Sequence, residues 1–148
     1  MDIENPKIPP NSIDSEQSVL GGLLLHNDSW DNVVNIISSD DFYQASHRII
    51  YDAIVILLEH DKPADILTVK EQVIKTHDEE SIGGFAYLAQ IAENTPSVSN
   101  IDAYAKHVRE LSIFRQLIKI GRELADTAFH PKDIEVNNLL DLSERKIF

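Results

Sequence analysis

From Asn100 to Phe129 the chain runs without a proline, and the run ends at His130-Pro131. Periodic apolar residues over such a length specify one long helix. Its second half constrains the fold further. On a wheel at about 100° per residue, Ile120, Ile113, Leu124, Leu117, Ala128, Gly121, Phe114, Ala125, Ile118 and Leu111 fill one arc of about 180°. A helix lying on a single core shows an apolar stripe nearer 100° wide. This helix therefore needs two neighbours. After the turn "HPKD", Asp133 can cap a last helix to Phe148 whose narrower stripe is Val136, Leu139, Leu140 and Ile147. Helices joined by so short a turn lie antiparallel, as a hairpin.

The last helix covers one edge of the arc. One edge carries Leu111, Phe114, Ile118 and Ala125, the other Ile113, Leu117, Ile120 and Leu124. The sequence leaves open which edge meets the last helix. It also leaves two candidates for the second neighbour: the same hairpin of another copy about a two-fold axis, or the rest of the chain folding back. The first gives a self-association surface of Ile113, Phe114, Leu117, Ile118, Ile120, Leu124, Leu139 and Leu140.

The residues before the long helix read as short helices. Residues 1–13, with Pro6, Pro9 and Pro10, form an extended arm. Asp14 with Gln17 makes a capping box for a helix to about His26. Asp28 caps a short helix, Ser29 to Ile37, burying Trp30, Val33, Val34 and Ile37. "HRIIYDAIVILLEH" has strand-like residues, but its length without a breaker and its apolar character all round specify a buried helix. Thr68 and Glu71 box a helix to about Lys75, and "GFAYLAQIAE" is another. The predicted architecture is all-α: arm 1–13, helical head 14–98, and helical hairpin 99–148.

Gly21 and Gly22 stand inside the first helix, where each costs about 1 kcal/mol relative to Ala. Either a neighbouring helix approaches closely there, or one glycine rests on a solvent face. Gly83-Gly84 supplies the φ freedom of a turn before the next helix.

The 148 residues are 43% hydrophobic and 26% charged, ordinary for a folded domain. Thirteen basic against 25 acidic residues give a net charge of −12. Affinity for nucleic acid comes mainly from cations on phosphates, so strong DNA binding is not expected. An acidic surface suits a basic protein partner. There is no cysteine, no signal-like apolar run near the start, and no window long enough to span a bilayer. The location read from this is cytoplasmic, without membrane contact.

No sequence matches a P-loop, a GxSxG elbow or HExxH. Glu59–Asp61 with His77–Glu80 is the best metal-like grouping, and reads as two solvated loops. Asp40-Asp41 could serve acid–base work, but better suits a helix entry. His47-Arg48 reads as a surface pair in a first turn. No catalytic, metal or cofactor site is expected.

Certain blocks taken together are specific: "PPNSIDSEQSVLGGLLL", "DFYQASHRIIYDAI", "KPADILTV", "GGFAYLAQIAENTPSVSNIDAYAKHVRE" and "LLDLSERKIF". They resemble, across essentially the whole chain, the N-terminal domain of the DnaB-type bacterial replicative DNA helicase. Departures are small: the family commonly has Gly at the place of Asp61, and Glu-Ala-Glu at Asp14-Ser15-Glu16. The resemblance implies a DnaB N-terminal-domain-like fold whose hairpins pair two chains, with three pairs forming the collar of a hexamer. It also implies docking of the helicase-binding domain of a DnaG-type primase, with Tyr87, Ile118 and Leu124 as candidate contacts. Tyr87 is equally well read as part of the head's core. A helicase loader is a further candidate partner, and the ATPase motor, with its ATP and magnesium, lies further along the parent protein. The competing readings are a stand-alone helical interaction module, a small hydrolase using the carboxylates above, and a helical nucleic-acid binder. Lacking the phosphate cradle of a P-loop, the chain is expected to show no magnesium-dependent ATP turnover and no unwinding. Release of phosphate by rigorously purified protein, measured with and without DNA, checks this.

Overall fold

The computed structural model describes residues 7–96, 98–132 and 134–147. Seven α-helices occur among them: α1 (Ile13–Leu25), α2 (Trp30–Val33), α3 (Ala45–Glu59), α4 (Ile66–Ile74), α5 (Phe85–Glu93), α6 (Ile101–Phe129) and α7 (Val136–Ile147). Single 3-10 turns lie at Asn27–Ser29, Ser39–Asp41, Glu79–Ile82 and Val98–Asn100. The chain forms two compact units, residues 11–112, and residues 113–147 together with 7–10. The division falls inside α6. None of the helices is long and apolar enough to cross a membrane.

In the first unit α1 packs on α3 and α5, and α4 packs on α3 and α5. The segment read as a buried helix despite its β-branched residues is α3. Its Ile50, Tyr51, Ala53, Ile54 and Leu57 are buried, while Asp52 and Ile56 face solvent. Val19, Leu20 and Leu23 of α1, Val69 and Val73 of α4, Leu88 and Ile91 of α5, and Ile101, Ala105 and Val108 of α6 complete the core. Each large side chain fully buried in this way contributes roughly 1.5 to 3 kcal/mol.

The glycine pair marks a close approach. A Cβ on Gly21 would collide with Thr95 Oγ1 and lie 2.7 Å from the Ile91 carbonyl oxygen; one on Gly22 would lie 2.8 Å from Ile101 Cδ1. Both glycines are buried, so packing, not a solvent face, is their reason. Gly83 and Gly84 both have φ of 83°, the left-handed turn expected before α5.

Several local expectations are corrected. The cap of α1 is Ser12, whose Oγ accepts from the Ser15 N–H at 3.2 Å, not Asp14. Serine is as good a cap as aspartate, and the earlier start carries Glu16 into the first turn, where it is buried. The cap of α4 is Asp65: Asp65 Oδ1 accepts from Thr68 N–H at 2.9 Å, and Thr68 Oγ1 accepts from Asp65 N–H at 2.8 Å. Thr68 is thus the partner in the box instead of its head, and Ile66 joins the helix to pack on the core. The segment read as Ser29–Ile37 is a 3-10 turn followed by the four residues of α2. Asp28 makes no side-chain cap there; Val33 and Ile37 are buried but Val34 is exposed. Asn27 holds this region instead, donating to the Leu23 and Ala64 carbonyls at 2.8 Å each and accepting from Ala64 N–H at 3.0 Å. The arm's first six residues, the expected cap Asp133 and the expected helix end Phe148 lie outside the described residues.

The glycines yield a graded prediction. Gly21→Ala should destabilise the protein by about 1 to 3 kcal/mol, because backbone blocks the new methyl. Gly22→Ala should cost less, since it meets the end of a flexible side chain. Gly121→Ala, with nothing of its own chain within 4 Å, should stabilise the unpaired chain by up to about 1 kcal/mol. Urea denaturation of the three variants checks the order.

Candidate functional site

The second unit joins the distal half of α6 to α7 through a short turn. From Gln116 onward the half-buried residues on α6 are Ile120, Glu123, Leu124 and Thr127; on α7 they are Leu139, Leu142, Ser143 and Lys146. Both sets follow the spacing i, i+3, i+4, i+7 of one helix face. Lys146 Nζ donates to Glu123 Oε2 at 2.7 Å across the pair. The expected stripe of α7 is therefore displaced. Leu139 turns inward with Leu142, which the sequence reading passed over, while Val136, Leu140 and Ile147 are exposed.

The edge of α6 with Ile120 and Leu124 is the half-buried one. Ile113, Phe114, Leu117 and Ile118 are exposed, by 41%, 46%, 49% and 39%. With the exposed Gly121, Ala125 and Ala128 they span an arc of about 140°. Ile113 and Leu117, grouped above with Ile120, thus belong with Phe114 and Ile118 instead. Of the eight self-association candidates, Leu140 is exposed as well, and Ile120, Leu124 and Leu139 are half-buried.

Tyr87 lies in the first unit, on α5, and is half-buried. Its ring stacks on that of His47, with centroids 5.8 Å apart and planes at 2°. Its hydroxyl is 2.6 Å from His47 Nε2 and 3.0 Å from Gln17 Nε2. His47 Nδ1 lies 2.7 Å from Glu16 Oε1, and Glu16 also accepts from the Tyr43 N–H at 2.8 Å and the Gln44 N–H at 3.4 Å. The carboxylate of α1 thereby holds the segment that leads into α3. Glu16 and His47 are buried, so the expectation of a His47-Arg48 surface pair is corrected. Arg48 Nη1 donates to the Phe42 and Tyr43 carbonyls at 2.7 and 3.0 Å. A period-based reading misses Glu16 and His47 because each is polar at a position counted as outward. Glu16 one turn from Tyr43 and His47 only in space has no sequence signature.

Asp41 is buried in the 3-10 turn. Its carboxylate accepts from Arg109 Nη1 and Ser112 Oγ at 2.8 Å each, and from the Ser38 N–H at 2.8 Å. It therefore fastens α6 to the turn and is not paired with Asp40 for proton transfer. Burial raises the Tyr51 hydroxyl to about 12, opposed by Trp30 and assisted by the Asp41 and Asp52 charges. Its hydroxyl donates to the Ile37 carbonyl at 3.3 Å. Among the described residues no group of three His, Asp or Glu side chains could hold a metal ion.

The hydrogen bond and charge of Lys146 hold the Glu123 carboxyl below the ordinary glutamate range. A lowered value in the folded state gives stability that is present above the unfolded value, about 4.3, and lost as pH falls through the folded one. Lys146→Met should therefore increase amide exchange in α7 at pH 6, with the difference from wild type vanishing below the lowered range. Hydrogen exchange at pH 6 and in acid checks this.

Comparison with known proteins follows the same lines. Residues 8–110 match the family described as DnaB-like helicase N terminal domain. The replicative DNA helicase DnaB of Pasteurella multocida is 43% identical over 99% of this chain and 31% of its own length. The replicative DNA helicase DnaC of Bacillus subtilis is 37% identical over 99% of this chain and 32% of its own. The chain thus spans about a third of the length of these relatives. The crystal structure of the N-terminal domain of DnaB helicase from Mycobacterium tuberculosis matches with a TM-score of 0.89 at 31% identity, covering 95% of this chain and 99% of that one. A DnaB-like replicative helicase, solved with attention to its interactions with primase, has a TM-score of 0.70 at 22% identity over 89% of this chain and 30% of that one. That last likeness is one of fold alone.

Proposed function

Since this chain belongs to the family of DnaB-like helicase N-terminal domains, we propose that it pairs replicative-helicase subunits and docks primase at the replication fork. These residues correspond to the N-terminal domain of such a helicase, and their own part in it is non-catalytic. Head 14–98 and hairpin 99–148 divide the work. Two hairpins pair about a two-fold axis, and three pairs form the collar of the hexamer. Such a helicase acts in the bacterial cytoplasm, and a loader is a further partner.

One observation carries this reading: the exposed apolar arc of Ile113, Phe114, Leu117 and Ile118. Four large side chains on one face, each about half exposed, forgo about half of the roughly 1.5 to 3 kcal/mol that full burial of each gives. A second copy presents the same strip, and a two-fold axis brings the two together without leaving an open end. Leu140 of α7, also exposed, extends the surface. The docking of primase is supported by the resemblance at Tyr87; of its other two candidates, Ile118 falls in the strip assigned to pairing and Leu124 is half-buried on the other edge of α6. The net charge of −12 favours a partner with basic groups, and weighs against strong DNA binding.

Sedimentation equilibrium should give at least a dimer. Leu117→Glu should yield a folded monomer, its dimer dissociation constant raised on the order of a hundredfold, because the charge is buried twice in a symmetric interface. A wild type that stays monomeric at high concentration contradicts the pairing. Tyr87→Ala, folded by circular dichroism, should weaken binding to the primase helicase-binding domain; unchanged affinity removes Tyr87 from that surface.

A further inference from the structure

The net charge is not spread evenly along the chain. Residues 11–112 hold 17 acidic and 6 basic side chains, a balance of −11, whereas residues 113–148 hold six of each. Within the acidic unit, Leu67 and Ile74 of α4 stand seven residues apart on one side of the helix, 58% and 52% exposed. They are turned away from Val69 and Val73, which enter the core. Lys70, one turn from each, sets its Nζ 4.9 Å from the centroid of the exposed Phe85 ring of α5 and 3.6 Å from Glu79 Oε1. Its charge is thereby held against a ring and a carboxylate, and it links Phe85 to the α4 pair. Three further carboxylates border this apolar face. Glu71 shares the side of α4 that carries Leu67 and Ile74, and Asp78 and Glu80 line, with Ile74, a cleft of about 660 Å³. None of the three is paired with a cation among the described residues. The cations nearby are Lys75, which donates to Gln72 Oε1 at 3.4 Å, and His77, whose Nδ1 is 2.8 Å from Thr76 Oγ1.

We infer that this face docks an amphipathic helix with basic flanks, contributed by another protein. Wet apolar side chains on two adjoining helices offer the anchor for such a helix. Unpaired carboxylates at the border select Lys or Arg beside it over Asp or Glu. The face is separate from the surfaces proposed above. Tyr87 lies about 200° round α5 from Phe85 and stacks on His47, and the strip from Ile113 to Ile118 belongs to the other unit. Residues 113–148, neutral overall, do not bring the excess of cations that this face selects, so a second copy is not its occupant.

A synthetic helix of about 14 residues, leucines on one side and lysines on the other, tests this against the whole chain, with amide shifts as the readout. The shifts should centre on residues 66–85. Leu67→Ser and Ile74→Ser, each folded by circular dichroism, should each weaken binding about tenfold. Glu71→Gln, Asp78→Asn and Glu80→Gln together should weaken it about fivefold and flatten its salt dependence. Equal binding of a peptide with the same composition but scrambled leucines overturns the inference, because charge alone then explains the contact. Equal binding of the version with Glu in place of Lys overturns it as well, as do unchanged affinity in both serine variants and a complete absence of shifts. Self-association that is lost in Leu67→Ser assigns the face to a second copy, and the inference falls.

Discussion

The first unit depends on how closely α1 can be approached. Gly21 and Gly22 leave a strip of bare backbone in its middle, and the end of α5 and the start of α6 occupy that strip through Thr95, Ile91 and Ile101. Thr95 could not reach the Ile91 carbonyl, 2.7 Å away, in the same position against any larger residue. The roughly 1 kcal/mol that each glycine costs the helix is offset by the burial this approach allows. Val19, Leu20 and Leu23 flank the glycines and are fully buried. The close contact and the apolar core on α1 are thus one arrangement.

The same helix carries the main polar commitment. Glu16 is buried beside Val19 and Leu20, and it is tolerable only because three donors converge on it. Removing them would leave a bare charge in the core. Two of the donors are the backbone amides of Tyr43 and Gln44, just before α3, so the carboxylate also ties α1 to the entry of that helix. Asp41 does the equivalent for α6, gathering Arg109, Ser112 and the Ser38 amide. Apolar contacts supply most of the driving force, and these two carboxylates select one arrangement of the helices.

What the sequence discloses follows from which signals are local. Helix α6 was legible because its period runs for many turns, and the glycine pair because it breaks a strong pattern. Asp61 belongs with these: its φ of 56° is a left-handed position, suiting the glycine common in the family and within reach of aspartate. Capping was harder. Ser12 and Asp14, or Asp65 and Thr68, compete within one turn, and the choice rests on which start buries Glu16 or Ile66. The polar network was not legible at all. Glu16, His47 and Tyr87 are far apart in sequence, and period alone assigns a buried glutamate and histidine to the surface.

The exposed face of α6 poses the opposite problem to the head. In the first unit the buried Glu16, Asp41 and His47 found partners within the chain. In the second, apolar groups are left facing water. A hairpin of two helices has no inside: each helix can cover only one face of the other, here the faces with the half-buried Ile120 and Leu124 on α6 and Leu139 and Leu142 on α7. Widening the apolar arc beyond that face adds nothing to the hairpin itself and lowers its solubility. It does prepare a surface on which small residues, Gly121, Ala125 and Ala128, alternate with large ones, Phe114, Leu117 and Ile118. Alternation of that kind lets two copies interdigitate when the axis sets large against small. Under the proposed pairing, the wide arc is the part of the core that a second chain completes.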